Sequence, residues 1–178
     1  MNVTFPELDL EFEIMSLSGE EQLGELFSFH VAALVPRSLL PGEFKAKSLI
    51  RRTVRFGVAP DAPERWGIVR AARHEAPHAH GGKTYERLRL DIVPRAFLCT
   101  LKRSTRIFQD MHVYEIVSAI LDGAHVAHRW DLEGQSKARK YCTQYEETDW
   151  QFVTRLFAEE GINCYFEHVG EFTGGAAA

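Results

Sequence analysis

The chain of 178 residues is 45% apolar and carries 12 Phe, 5 Tyr and 3 Trp, which excludes a solvated coil as its main state. Its 25 acids against 21 Lys and Arg leave a net charge of −4, which argues against a protein that coats nucleic acid by neutralising phosphates. No run reaches the roughly 18 uninterrupted apolar residues of a membrane span, and the opening MNVTFPELDLEFEI lacks the basic start and apolar stretch of a signal peptide, so synthesis in the cytoplasm is expected.

In chain order, the first strand signal is the alternation of Leu8, Leu10, Phe12 and Ile14 with Glu7, Asp9, Glu11 and Glu13. A period of two puts one face on a core and the acidic face in water. Phe27, Phe29, Val31 and Ala33 repeat the pattern, as do Val54, Phe56 and Val58 around Arg55 and Gly57. Leu88, Leu90 and Ile92 alternate with Arg87, Arg89 and Asp91 as far as Pro94. Turn chemistry falls at Ser18–Gly19, Pro41–Gly42, the stretch from Pro60 to Pro63, and Gly81–Gly82. The basic run from Lys45 to Arg55 has its arginines interleaved with Thr53 and Val54, and reads as a solvated strand face. Short one-faced strands at this spacing predict a small β-barrel or sandwich over residues 1–100.

From about Arg103 the period changes. Val113, Ile116, Val117, Ile120 and Leu121 share one side of a helix that Asp122–Gly123 ends. A second helix has Thr148 as its cap, Gln151 completing a capping box, and Gly161 closing the far end. Trp150, Phe152, Val153, Leu156 and Phe157 form its apolar arc. Strands are expected before it, Tyr141 to Tyr145, and after it, where Ile162, Cys164 and Phe166 alternate; Gly134 to Lys140 reads as a polar loop. The whole is an α+β, β-rich chain: a small β-barrel over 1–100, an α+β unit with two helices over 101–170, and a disordered tail over 171–178. On the second helix Glu160 projects into the apolar arc near the end where the dipole disfavours an acid. A cation is expected to meet it, Arg106 first and Arg103 second, against the alternative of a helix end that emerges into water.

The chemistry-bearing residues are few. His74, His78 and His80, with Glu75 beside them, have a spacing that could gather zinc or nickel, and are the only foothold for a metal-dependent hydrolase. A hairpin loop that happens to hold histidine explains them equally well. His125 and His128 near Trp130 make a weaker case, and His112 at a helix start reads as packing or capping. There is no G-x-S-x-G, P-loop, G-x-G-x-x-G or H-E-x-x-H. Cys99, Cys142 and Cys164 are odd in number, widely spaced and expected to be reduced, inert thiols. No cofactor and no catalytic residue is expected.

Several strings carry more than periodicity. STRIFQD (Ser104 to Asp110), then VYEIVSAIL, then YCTQYEETDWQFVTRLFAEEGINCYFEH (Tyr141 to His168) resemble the valine–glycine repeat (VgrG) tip proteins of type VI secretion systems and the related baseplate-hub proteins of contractile-tailed phages. FSFHV, WGIVRAARH and YERLRLDIVPRAFLCTL follow the order of that family. The resemblance implies a structural hub and no enzyme: a homotrimer whose subunits each give two small barrels, mated to an Hcp-like tube and carrying spike and effector domains, delivered by the machine into a target cell. A phage or prophage tail baseplate hub is the alternative within this class. Neither a membrane span nor a nucleic-acid partner belongs to it. Arg106, Phe108, Gln109, Tyr145, Asp149, Phe152, Arg155, Glu160 and Gly161 carry the match and are expected to hold the fold. Three departures stand out. The chain stops soon after His168, where the family continues into a second barrel and a spike, so it reads as a fragment or shortened relative. His112 replaces a common Ser or Thr cap, and Arg51 stands where glycine is frequent.

Overall fold

The computed structural model describes residues 1–57, 59, 62–134 and 137–168. Val58, part of the Pro60–Pro63 turn and the tail over 171–178 lie outside the described residues. The chain divides into two compact units, one made of Met1–Pro94 joined by the residues from Phe166 to His168, the other of Arg95–Tyr165. The division lies at Pro94 rather than at residue 100.

The first unit is a closed antiparallel barrel. Its strands are β1 (Asn2–Phe5), β2 (Leu10–Glu20), β3 (Ser28–Pro36), β4 (Thr53–Gly57), β5 (Glu64–His74), β6 (His78–His80) and β7 (Lys83–Val93). They are hydrogen-bonded in the order β3-β2-β1-β4-β5-β7-β6, and β3 pairs with β7 to close the ring, leaving β6 as a short hairpin arm on β7. Closure removes the open edges that invite aggregation. The inward residues are the ones alternation selects: Phe12, Val31, Val54, Phe56, Leu88, Leu90 and Ile92 are all fully buried. Phe29 packs on Phe56 at 5.2 Å and Phe5 on Phe12 at 5.2 Å between ring centroids.

The structure departs from the local sequence pattern at three places. The first strand, β1, is too short before Pro6 to show a period, and a 3-10 turn over Pro6–Leu8 delays β2 to Leu10. Ser18–Gly19 is no turn, because β2 runs through it. A Cβ at position 19 would sit 2.4 Å from both the Phe29 ring and the Ser28 carbonyl, so glycine answers a close approach of strands. The run from Lys45 forms a 3-10 turn over Ala46–Leu49 before strand begins at Thr53. Between them Arg51 has φ 68, a left-handed backbone that explains why glycine suits this position. A bulge at Met15 lets Ile14 and Leu17 both lean on the core despite their odd spacing.

The second unit is a two-stranded ribbon backed by helices. After a 3-10 stretch (Arg95–Thr100) come β8 (Arg103–Met111), α1 (Val113–Gly123), β9 (Arg139–Thr148) and α2 (Asp149–Glu160). β8 and β9 pair antiparallel, and Cys99, Val113, Ile116, Val117, Ile120, Cys142, Phe152, Val153, Leu156 and Phe157 form the core. α1 runs two residues past Leu121, through Asp122–Gly123, and ends on Ala124 rather than on a left-handed glycine. At its start the backbone N–H of His112 donates to the Glu115 side chain at 2.7 Å, one arm of a capping box. β9 starts at Arg139, inside the stretch read as a loop. Residues 162–168 alternate between exposed and partly buried without joining a ladder. Their last members serve the first unit: Phe166 stands edge-on to Phe27 at 5.5 Å. The His168 ring takes the N–H of Trp66 at 3.1 Å and meets Glu21 at 2.8 Å.

Candidate interface on the helix-backed ribbon

Four of the nine family-match residues form one structural knot where β8, β9 and α2 meet. Thr148 caps α2, its hydroxyl accepting the Gln151 N–H at 3.1 Å while its own N–H donates to the Gln151 side chain at 2.9 Å. That cap places Asp149 in the first turn, where the helix dipole favours an acid. Arg106 donates to Asp149 and, through Nε, to the Gln144 side-chain oxygen at 2.8 Å. Gln144, fully buried, returns its amide to Asp149 at 2.9 Å and to the Glu147 carbonyl at 3.0 Å. Phe108 stacks on the buried Phe152 at 5.8 Å, and the Arg106 guanidinium lies 5.7 Å from the Phe108 ring. Every polar atom of the Gln144 side chain has a partner, which is the condition for burying an amide at all.

A second network locks α2 to β9. Arg155 pairs with Glu147 at 2.6 Å and Glu159 at 2.9 Å, donates to the Thr143 carbonyl at 3.0 Å, and covers the Phe152 ring at 5.1 Å. The bond to Glu147, more than that to Glu159, raises the Arg155 pKa above its ordinary value. Arg139 grips Glu159 and Glu160, each at 2.5 Å. The hydrogen bond from Arg139, with help from Arg155, holds the Glu159 carboxyl below the usual carboxylate range. Glu160 therefore does meet a cation, but the cation is Arg139 and not Arg106 or Arg103. Arg106 is committed to Asp149, and Arg103 donates to the Glu146 carbonyl at 2.7 Å. Gly161, at φ 68, ends the helix as expected.

Tyr145 and Gln109 behave otherwise. Tyr145 is 69% exposed, next to Glu146, whose φ of 49 marks a bulge opposite Thr105. Gln109 is exposed opposite Tyr141. Together with Ile107 (65% exposed) and Tyr141 (70%), and with Thr105 and Thr143 between, they line the outer side of the ribbon. Along these six positions that side carries two tyrosines, an isoleucine and three uncharged polar residues, and the lack of charge with exposed tyrosine is what an interface centre shows. Sequence reasoning missed Gln144 and the ribbon face. The signal lay in the alternation Tyr141, Thr143, Tyr145 against Cys142 and Gln144, which sets a polar residue inside and two tyrosines outside.

The histidines do not gather. His74 Nε2 accepts the Ala46 N–H at 2.9 Å, its Nδ1 lies 3.4 Å from Glu86, and its ring stands edge-on to Phe44. His78 and His80 stack on each other at 6.4 Å on the exposed arm β6. Among the described residues no group of three or more His, Cys, Asp or Glu stands placed to hold a metal ion. Glu75 instead pairs with Arg87 and Arg89. His128 bridges the Val126 carbonyl and Ser118, whose hydroxyl oxygen also accepts from Trp130 at 2.9 Å, a packing role. Cys99 and Cys142 are buried, and burial, reinforced by the Asp149 charge, pushes the Cys99 thiol up to about 11. No helix of the described residues is long and apolar enough to cross a membrane.

Comparison with known proteins places this architecture. Residues 20–174 match the family described as phage tail baseplate hub (GPD). The type VI secretion system spike protein VgrG4b of Pseudomonas aeruginosa is 31% identical over 164 residues, covering 90% of this chain and 19% of the relative. VgrG5 of the same organism is 29% identical over 161 residues, covering 88% of this chain and 19% of the relative. The actin cross-linking toxin VgrG1 of Vibrio cholerae is 36% identical over 104 residues, 57% of this chain and 9% of that protein. The chain thus spans about a fifth of the length of the first two relatives. Among solved structures, the E. coli c3393 protein, a component of the type VI secretion system described as similar to T4 phage tail proteins gp27 and gp5, superimposes with a TM-score of 0.76 at 22% identity, covering 89% of this chain and 43% of that one. At that identity the likeness speaks for the fold.

Proposed function

The chain belongs to the phage tail baseplate hub (GPD) family, and on that premise we propose that it is a structural hub segment at the base of the tip of a contractile injection machine. The observation that carries this reading is the match across residues 20–174. In its assembled form the segment is one part of a homotrimer seated on an Hcp-like tube, with spike and effector domains beyond it. Its work is mechanical: it holds shape and docks to neighbours while the machine drives the tip forward. No catalytic step is assigned to it. Arg106, Phe108, Asp149, Phe152, Arg155, Glu160 and Gly161 keep the ribbon and α2 as one rigid piece. Tyr145 and Gln109, with Ile107 and Tyr141, give the contact face. The spike relatives favour a secretion machine over a phage tail, and the hub role is common to both.

The test exchanges this segment for the aligned segment of a type VI spike relative and follows release of tube protein into the medium. Release by the chimera supports the hub reading. A chimera that folds and accumulates but releases no tube protein overturns it. Ile107→Asp and Tyr145→Asp in the working chimera are expected to abolish release without loss of folded protein, because both side chains are exposed.

A further inference from the structure

Across the outer face of β3, β7 and β5, the register sets Ala32 beside Arg89 and Arg89 directly opposite Arg73. One step along, His30, Asp91 and Ala71 stand in a row. Like charges facing each other across a ladder cost stability, so an Arg–Arg pair needs a counter-charge. The acids nearby are already taken. Glu75 is shared by Arg87 at 2.9 Å and Arg89 at 2.8 Å. Asp91 is shared by His30 at 2.8 Å and Arg70 at 3.5 Å. Arg73 is exposed and has no partner among the described residues. Between Arg73 and Arg89 the surface dips into a shallow notch lined also by Ala71 and Asp91, because alanine leaves room where a larger side chain would fill it.

We propose that this notch is the docking point for a carboxylate side chain of an acidic protein partner lying across the outer face of β5 and β7. Arg73 offers a carboxylate a guanidinium fork left unused within the chain, and Arg89, which spends one Nη on Glu75, can add a further charge-assisted hydrogen bond from the adjacent strand. The geometry favours a protein over nucleic acid. Binding a phosphate backbone draws on many cations, on the order of 6–10 phosphate contacts for a well-held site, whereas here Arg70, Arg73, Arg87 and Arg89 face two acids within a chain of net charge −4. Charge, register and the notch place this site independently of the hub assignment.

The test uses the full chain and a capped, fluorescein-labelled hexaglutamate peptide as probe, read by anisotropy at low salt, with amide shifts mapped by NMR. Weak binding is expected, with shifts centred on Ala71, Arg73 and Arg89. Arg73→Gln and Arg89→Gln each weaken it by about tenfold, a loss of one charge-assisted contact. Arg73→Lys, which keeps the charge and loses the fork, falls between, and keeps the test open should Arg73→Gln fail to fold. Arg55→Gln on β4 leaves binding unchanged. Absence of binding overturns the proposal, as does an equal loss in Arg55→Gln, which would mean diffuse attraction. Tighter binding of a short single-stranded oligonucleotide, lost in the same Arg73 and Arg89 variants, would replace it with a nucleic-acid site.

Discussion

Arg139 in β9 holds Glu160 in the last turn of α2 at 2.5 Å, and the same guanidinium holds Glu159 at 2.5 Å. An acid at a helix C-terminus opposes the dipole, and the cation that offsets it comes from the strand that precedes the helix. The Arg139 and Glu160 side chains are 25% and 27% exposed, so the pair is half-sheltered rather than buried.

Glu160→Gln is therefore expected to cost the second unit only about 0.5–1 kcal/mol, and Arg139→Ala somewhat more, because it frees two acids at once. Urea unfolding followed by the fluorescence of Trp130 and Trp150 measures both. A loss well above 2 kcal/mol in Glu160→Gln would mean that the pair is desolvated.

Gln144→Ala should be far more damaging. It leaves Arg106 and Asp149 without the amide that joins them and opens a gap in a core position, for a combined loss of about 2–4 kcal/mol. The effect belongs to the second unit, so Trp66 in the barrel should report little change while Trp130 and Trp150 report early unfolding.

Arg51→Gly is expected to stabilise the barrel. Relief of a left-handed backbone at φ 68 gives about 1–2 kcal/mol, and the added freedom of glycine in the unfolded chain takes back about 0.5–1. The difference, about 0–1.5 kcal/mol and centred at about 0.75, should raise Tm by a few degrees in a calorimetric scan.

The pH dependence follows from Glu159. Its folded pKa lies below its ordinary value of 4.5, so between the two the unfolded state binds more protons than the folded one. The stability it contributes is complete above about pH 4.5 and is lost as pH falls through the folded value. Arg139→Gln should flatten that slope in an acid titration of the second unit.

Thiol chemistry offers a last check. Burial raises Cys99 to about 11 and pushes Cys164 upward in the same sense, and Cys142 is buried. A thiol reagent at pH 8 should modify the native protein slowly, at Cys164 first, and reach all three cysteines only after denaturation.

How much of this was legible beforehand depends on the range of the interaction. Alternation exposed β3, β4 and the far half of β7, and the capping box fixed α2 to its terminal residues, because each signal is written within a few neighbours. β1 escaped because four residues before a proline have too little length to show a period. Ser18–Gly19 carried turn chemistry, but Gly19 answers the approach of Phe29 from the next strand, which no local pattern reports. His74, His78 and His80 looked like a cluster in the sequence, yet His74 turns toward Ala46 while the other two ride on the hairpin arm.

By itself, then, the sequence determined what each segment buries: the one-faced strands, the apolar arcs of two helices, the caps, and the family likeness from Tyr141 to His168. Burial patterns are set by solvent, which every residue meets separately. The tertiary structure alone decided which charges meet. Glu160 found Arg139 and not Arg106, Gln144 went inside with Asp149, Tyr145 went outside, and Arg73 came to face Arg89. A partner for a charge is chosen by strand register and helix packing, and those are properties of the closed barrel and the paired ribbon rather than of any stretch of chain.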